Sequence, residues 1–180
     1  RDLEFSGEVT EELLALKKSS IELEAEFEEL MALREPEPQD IELIREARDL
    51  QKAYVEGVGS ADVDAAARLR NLTVRYENLA AAELQERSIQ LETEAEDLAL
   101  DKEYEAARTK YREAFELQDR INQRFPQSDA HNVGRATALE RQASYLTAEP
   151  LLQTSVQLEA EAKEFIAGEK WEQAEEKLAR

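Results

Sequence analysis

A twenty-residue stretch, SIQLETEAEDLALDKEYEAA, begins at Ser88 and returns 67 residues later at Ser155 as SVQLEAEAKEFIAGEKWEQA. A shorter copy, SIELEAEFEEL, begins 68 residues earlier at Ser20. A chain with such self-similarity folds as like units that bury their apolar faces against one another. It divides into a leading helix at 1–19, a degenerate repeat at 20–87, a second at 88–154 and a truncated third at 155–180. Together these form one continuous repeat domain. The likeness extends past the opening signature. Arg45-Glu46-Ala47 matches Arg112-Glu113-Ala114, and Leu50-Gln51 matches Leu117-Gln118. Leu72 matches Leu139 and Leu79 matches Leu146 at the same spacing.

The units are helical. Glu, Ala, Leu, Lys, Arg and Gln dominate, Gly and Pro are scarce, and no alternating β-branched run occurs. A first helix capped by Ser6 or Thr10 carries Leu13, Leu16, Leu23, Phe27 and Leu30, and stops before Pro36-Glu37-Pro38. A second, about 39–57, turns Ile44, Ala47, Gln51, Tyr54 and Val58 to one seam. It ends at Gly57–Ser60, and Ser60 caps the next helix. The stretch 61–100 reads as one long helix or as two joined near 78–82. Thr147-Ala148-Glu149-Pro150 in the next copy favours the joint, because proline suits a first helical turn and distorts an interior. Asp101-Lys102-Glu103 predicts a tight turn. Tyr104, Ala107, Tyr111, Ala114, Gln118, Ile121 and Phe125 then make the most regular amphipathic face in the chain. Pro126–Asp129 ends that helix and caps a further one, 129–147, with Ala136, Leu139, Ala143 and Leu146. Helices at about 150–167 and from Trp171 follow.

The stretch from Ala95 to Leu117 resembles a tetratricopeptide repeat. Leu91, Ala95 and Leu98 fit that family's large–small–large first helix, and Tyr104, Ala107, Tyr111 and Ala114 its aromatic–small–large–small second helix. Leu158, Ala162, Phe165, Trp171, Ala174 and Leu178 repeat the pattern. Alanine lets helix backbones approach while the neighbouring aromatic fills the groove. Proline arrives at Pro126 where the family closes near Asp119. The period is also double the family's usual length of about 34. The resemblance implies an all-α, right-handed α-solenoid of helical hairpins with an extra or extended helix per repeat. It also implies a non-catalytic interaction scaffold that binds a peptide or protein along the repeat groove. A spectrin-like array also uses three-helix units, but needs helices longer than this punctuation allows. The functional alternative is a structural spacer or coiled-coil-like oligomerisation segment.

Charge narrows the partners. With 42 acidic against 23 basic residues the net charge is −19. Such a surface is repelled by phosphate backbones and anionic lipid and permits a basic protein or peptide partner. No run reaches the roughly 18 apolar residues of a membrane span, so no direct insertion is expected. The chain starts without Met and stops within a helical pattern at Arg180. It therefore reads as an excerpt of a larger bacterial-type protein, cytoplasmic or extracytoplasmic.

Chemistry is sparse. There is no cysteine, and the single His131 falls in the turn after Pro126, where a surface role suits it better than metal binding. No phosphate loop, nucleophile–base set or zinc motif occurs, so no enzyme activity and no cofactor are expected. The recurring acids are the candidate partner-binding residues. Glu24, Glu92 and Glu159 are equivalent, as are Glu26, Glu94 and Glu161, and units stacked in register would align them as a negative stripe. A solvated helix face is the competing role. Gln51 and Gln118 are expected to bond a neighbouring helix, and Tyr104 and Trp171 to lie in the core.

Overall fold

The computed structural model of the chain describes residues 9–59, 62–167 and 171–179; at 172, 174 and 176 it describes the backbone alone. The described residues form six α-helices and no strand. The helices are α1 (Glu11–Met31), α2 (Pro38–Val58), α3 (Val63–Leu100), α4 (Tyr104–Arg124), α5 (Val133–Ala167) and α6 (Trp171–Leu178).

Two helices are long, and one of them, α5, is far longer than expected. α3 runs 38 residues and α5 runs 35, each without a break. Of the two readings of 61–100, the single long helix forms, without the joint near 78–82 that Pro150 favours, and Pro150 itself lies inside α5. The helices expected at 129–147 and 150–167 are therefore one. Proline removes one backbone donor, so the Leu146 carbonyl loses its partner four residues on. Burial of Ala136, Leu139, Ala143, Leu146 and Ala162 along the same helix outweighs that local loss. The repeat boundaries at Ser20, Ser88 and Ser155 thus fall inside helices. The leading helix expected at 1–19 likewise continues into the first repeat as α1.

Local chemistry accounts for the helix ends. Thr10 caps α1, its hydroxyl accepting from the Leu13 N–H at 3.3 Å. Pro38 opens α2 in the first turn, where its missing donor costs nothing. The Asp40 carboxylate turns back to accept from the Glu37 N–H at 2.8 Å. Ser60, the expected cap of α3, lies outside the described residues, as do Ser6 and Gly168–Lys170. Asp62 performs the capping, accepting from the Ala65 N–H at 2.9 Å. Asn132, not Asp129, caps α5, with its side chain accepting from the Arg135 N–H at 2.8 Å.

The turn after α3 is a left-handed cap of the Schellman type. Glu103 N–H donates to the Leu98 carbonyl and Lys102 N–H to that of Ala99. Lys102 occupies the left-handed position at φ 65°, and Gly59 takes φ 70° after α2.

The chain divides into two compact units. One comprises residues up to Gln85 with Arg120–His131, the other Glu86–Asp119 with the residues from Asn132 onward. In the first, Phe27, Ile44, Ala47 and Leu72 form a buried cluster flanked by Leu23, Tyr76 and Leu79. A second cluster there joins Ala81 to Ile121 and Ala130. Asn78 accepts from the Asp129 N–H at 2.7 Å and Glu77 from the Gln127 N–H at 2.6 Å, holding the 126–130 loop on α3. In the other unit, Leu91, Ala95, Ala107, Tyr111, Ala114 and Leu139 are the core, continued by Ala143 and Leu146.

Candidate functional site

Both units contain the same polar cluster, built from equivalent residues. In the first, Ser20 donates to the Ala47 carbonyl at 2.6 Å, tying α1 to α2. Arg68 of α3 then closes the set, donating to Ser20 Oγ at 2.8 Å, Gln51 Oε1 at 2.5 Å and Glu24 Oε2 at 2.5 Å. In the second, Ser88 donates to the Ala114 carbonyl at 2.9 Å. Arg135 of α5 donates to Ser88 Oγ at 2.8 Å, Gln118 Oε1 at 2.7 Å and Glu92 Oε2 at 2.5 Å. Both serines and both glutamines are buried. A planar guanidinium with a fixed fork of donors can serve three acceptors on two helices at once, and that is its use here. Gln51 and Gln118 thus bond their neighbours, as the repeat register predicts. In the sequence the arginines carry one signal, their shared 67-residue spacing.

The recurring acids have different surroundings. Glu24 and Glu92 belong to the arginine clusters. Glu94 pairs with Lys110 at 2.8 Å and Glu161 with Lys177 at 2.6 Å, an equivalent bridge between the two helices of a hairpin. Those lysines hold both carboxyls below the usual carboxylate range. Glu159 pairs with Lys163 one turn along its own helix at 2.9 Å, and Glu26 is exposed. Five of the six candidate acids therefore carry internal ion pairs; four of these cross between helices, and the Glu159–Lys163 pair lies exposed along one helix.

An open groove in the second unit, about 490 Å³, is lined by Tyr104, Tyr111 and Tyr145 with Leu100, Glu96 and Glu149. Tyr104 is half-buried against the core, and its hydroxyl accepts from Gln153 at 2.6 Å. Glu149 pushes the Tyr145 hydroxyl above its ordinary value. Burial pushes up that of Tyr111, helped by Glu96 and Glu92. Leu100 and Tyr145 stand largely exposed. The groove thus presents aromatic faces beside two carboxylates, the chemistry that accepts a cationic or mixed cationic–apolar side chain.

Trp171 departs from the core position expected of it: its side chain is 62% exposed. Ala174 lies where only the backbone is described. His131 is exposed in the turn before α5. Among the described residues no group of three or more His, Asp or Glu is placed to hold a metal ion. None of the described helices is long and apolar enough to cross a membrane. No family model, curated protein or solved structure matches the chain.

Proposed function

We propose that this chain is a non-catalytic scaffold of tetratricopeptide-like helical repeats, stacked as a solenoid, that holds a peptide or protein partner in its repeat groove. The three-tyrosine groove with Glu96 and Glu149 at its rim carries this reading. Tyrosine supplies broad contact area at small entropic cost, and a carboxylate beside an aromatic face favours lysine or arginine. The net charge of −19 attracts such a ligand from a distance. A displayed library of linear peptides, selected against the chain, tests it. The expected clones carry Lys or Arg beside an apolar residue. Their binding falls at least tenfold in Tyr145→Ala and weakens as salt rises. A library that yields no clone sensitive to Tyr145→Ala overturns the reading.

A spacer role has an observation of its own. α3 and α5 each run unbroken through two copies of the repeat, removing the objection that the helices are too short for a spectrin-like array. Light scattering separates the two roles, a stable homo-oligomer favouring the spacer and a monomer the scaffold.

A further inference from the structure

The internal repeat provides a template for reading one bare surface. In each of the first two copies, a hairpin of two helices is covered by a third helix carrying an arginine. The hairpin of α1 and α2 receives Arg68, and that of the C-terminal half of α3 with α4 receives Arg135. The C-terminal half of α5 and α6 form the third such hairpin. Its register is the same: Ala162 is buried like Ala95 and Phe27, and Glu161–Lys177 repeats Glu94–Lys110. No described helix covers its outer face. Ser155, equivalent to the fully buried Ser20 and Ser88, is exposed. Among the described residues Glu159 has no cross-helix arginine like those of Glu24 and Glu92, and it pairs with Lys163 of its own helix. Leu178 and Trp171 stand open where Tyr111 and Tyr104 pack in the second copy. A cavity of about 530 Å³ lies there, with Ser155, Leu158, Glu159 and Leu178 in its walls.

We propose that this face docks an amphipathic helix bearing an arginine four residues before one leucine and eleven before a second. Both resident helices share that pattern, as Arg68, Leu72 and Leu79 and as Arg135, Leu139 and Leu146. The arginine donates to Ser155 Oγ and the Glu159 carboxylate. The first leucine enters between Leu158 and Ala162, and the second approaches Trp171. Charge and shape complementarity both follow from the two filled examples in the same chain. The inference adds a second docking surface to the scaffold reading and does not depend on the tyrosine groove.

Trp171, the single tryptophan, reports on the face directly. The full 180-residue chain is titrated with an end-capped peptide of its own residues 132–149, with tryptophan emission and calorimetry as readouts. The expected result is a saturable blue shift, at least tenfold weaker binding to Glu159→Arg, and recovery when that variant meets the peptide carrying Arg135→Glu. The last comparison also excludes exchange with the resident α5, whose acceptor is Glu92. Absence of a saturable shift overturns the proposal, as does affinity unchanged in Glu159→Arg. Blue-shifted emission in the free monomer means the chain covers the face itself and overturns it too. A blue shift that tracks self-association assigns the face to a second copy and does the same. If the helical peptide fails while library clones remain sensitive to Tyr145→Ala, this inference alone falls. If it binds while the library yields no such clone, the groove reading falls and this one stands.

Discussion

Arg68 and Arg135 each join two helices to a third through side-chain bonds. Removing one leaves a buried serine, a glutamine and a carboxylate short of a donor. Arg68→Ala should therefore cost about 2–4 kcal/mol. Arg68→Lys should recover only part of it, because an ammonium on a flexible stem does not match the fork. Urea unfolding of the two variants checks both; equal stability to the parent would show the cluster to be dispensable. Lys102 gives a prediction of opposite sign. A side chain in the left-handed region costs about 1 kcal/mol relative to glycine, so Lys102→Gly should raise stability by that amount. Gly59, at a similar φ, already has the permissive residue. At this scale the apolar registers were legible in the sequence: Ile44, Ala47, Ala107, Ala114 and Leu139 are all buried. Arg68 and Arg135 were not, because a charged residue beside a seam looks like solvated surface until the acceptors facing it are known.

The elements show where local rules yield to packing. By local rules Pro150 marks a helix start, because proline is disfavoured inside an isolated helix. α5 continues past it, with Leu146 buried before the proline and Ala162 buried after it. Proline stays unfavourable there, so Pro150→Ala should stabilise the middle of α5 by about 1–3 kcal/mol. Slower amide exchange around Leu146–Thr154 would show it; unchanged exchange would mean the helix had already relaxed around the ring. The start of α5 departs from its local pattern for a related reason. Pro126–Asp129 has the composition of a cap, but Ser128 and Asp129 bond to Asn78 instead, and Asn132 begins the helix. A contact 50 residues away in the chain is invisible to a local pattern.

For the whole molecule, charge sets two expectations. The excess of 19 negative charges works against compactness, while exposed ion pairs return little. Raising salt from about 0.02 to 0.5 M should therefore raise Tm, since screening relieves the repulsion; a fall would mean the pairs dominate. Acid acts the other way. Arg75 lowers Glu28, Arg34 lowers Asp40, and Lys110 and Lys177 lower Glu94 and Glu161. The Ala65 N–H, with Lys17 and Tyr54, lowers Asp62. Groups depressed in the folded state supply stability that is whole above their unfolded values of about 4. That stability is lost as pH falls through the folded values. Circular dichroism should show helix melting below about pH 4, earlier in Arg34→Ala than in the parent.

α3 presents Leu72 to one cluster and Leu91 to another on a single continuous spiral. Within the first unit, adding one residue between Leu72 and Ala81 would swing Ala81 about 100° around the axis, away from Ile121 and Ala130. A loop is indifferent to such a change. Ser20 and the Ala47 carbonyl it bonds are 27 positions apart, whereas Ser88 and Ala114 are 26 apart, and both bonds form. From Gln51 to Arg68 and from Gln118 to Arg135 the count is 17 in each. Natural variants of this chain should thus gain and lose single residues between α1 and α2 or between α3 and α4, and keep the length of α3 fixed.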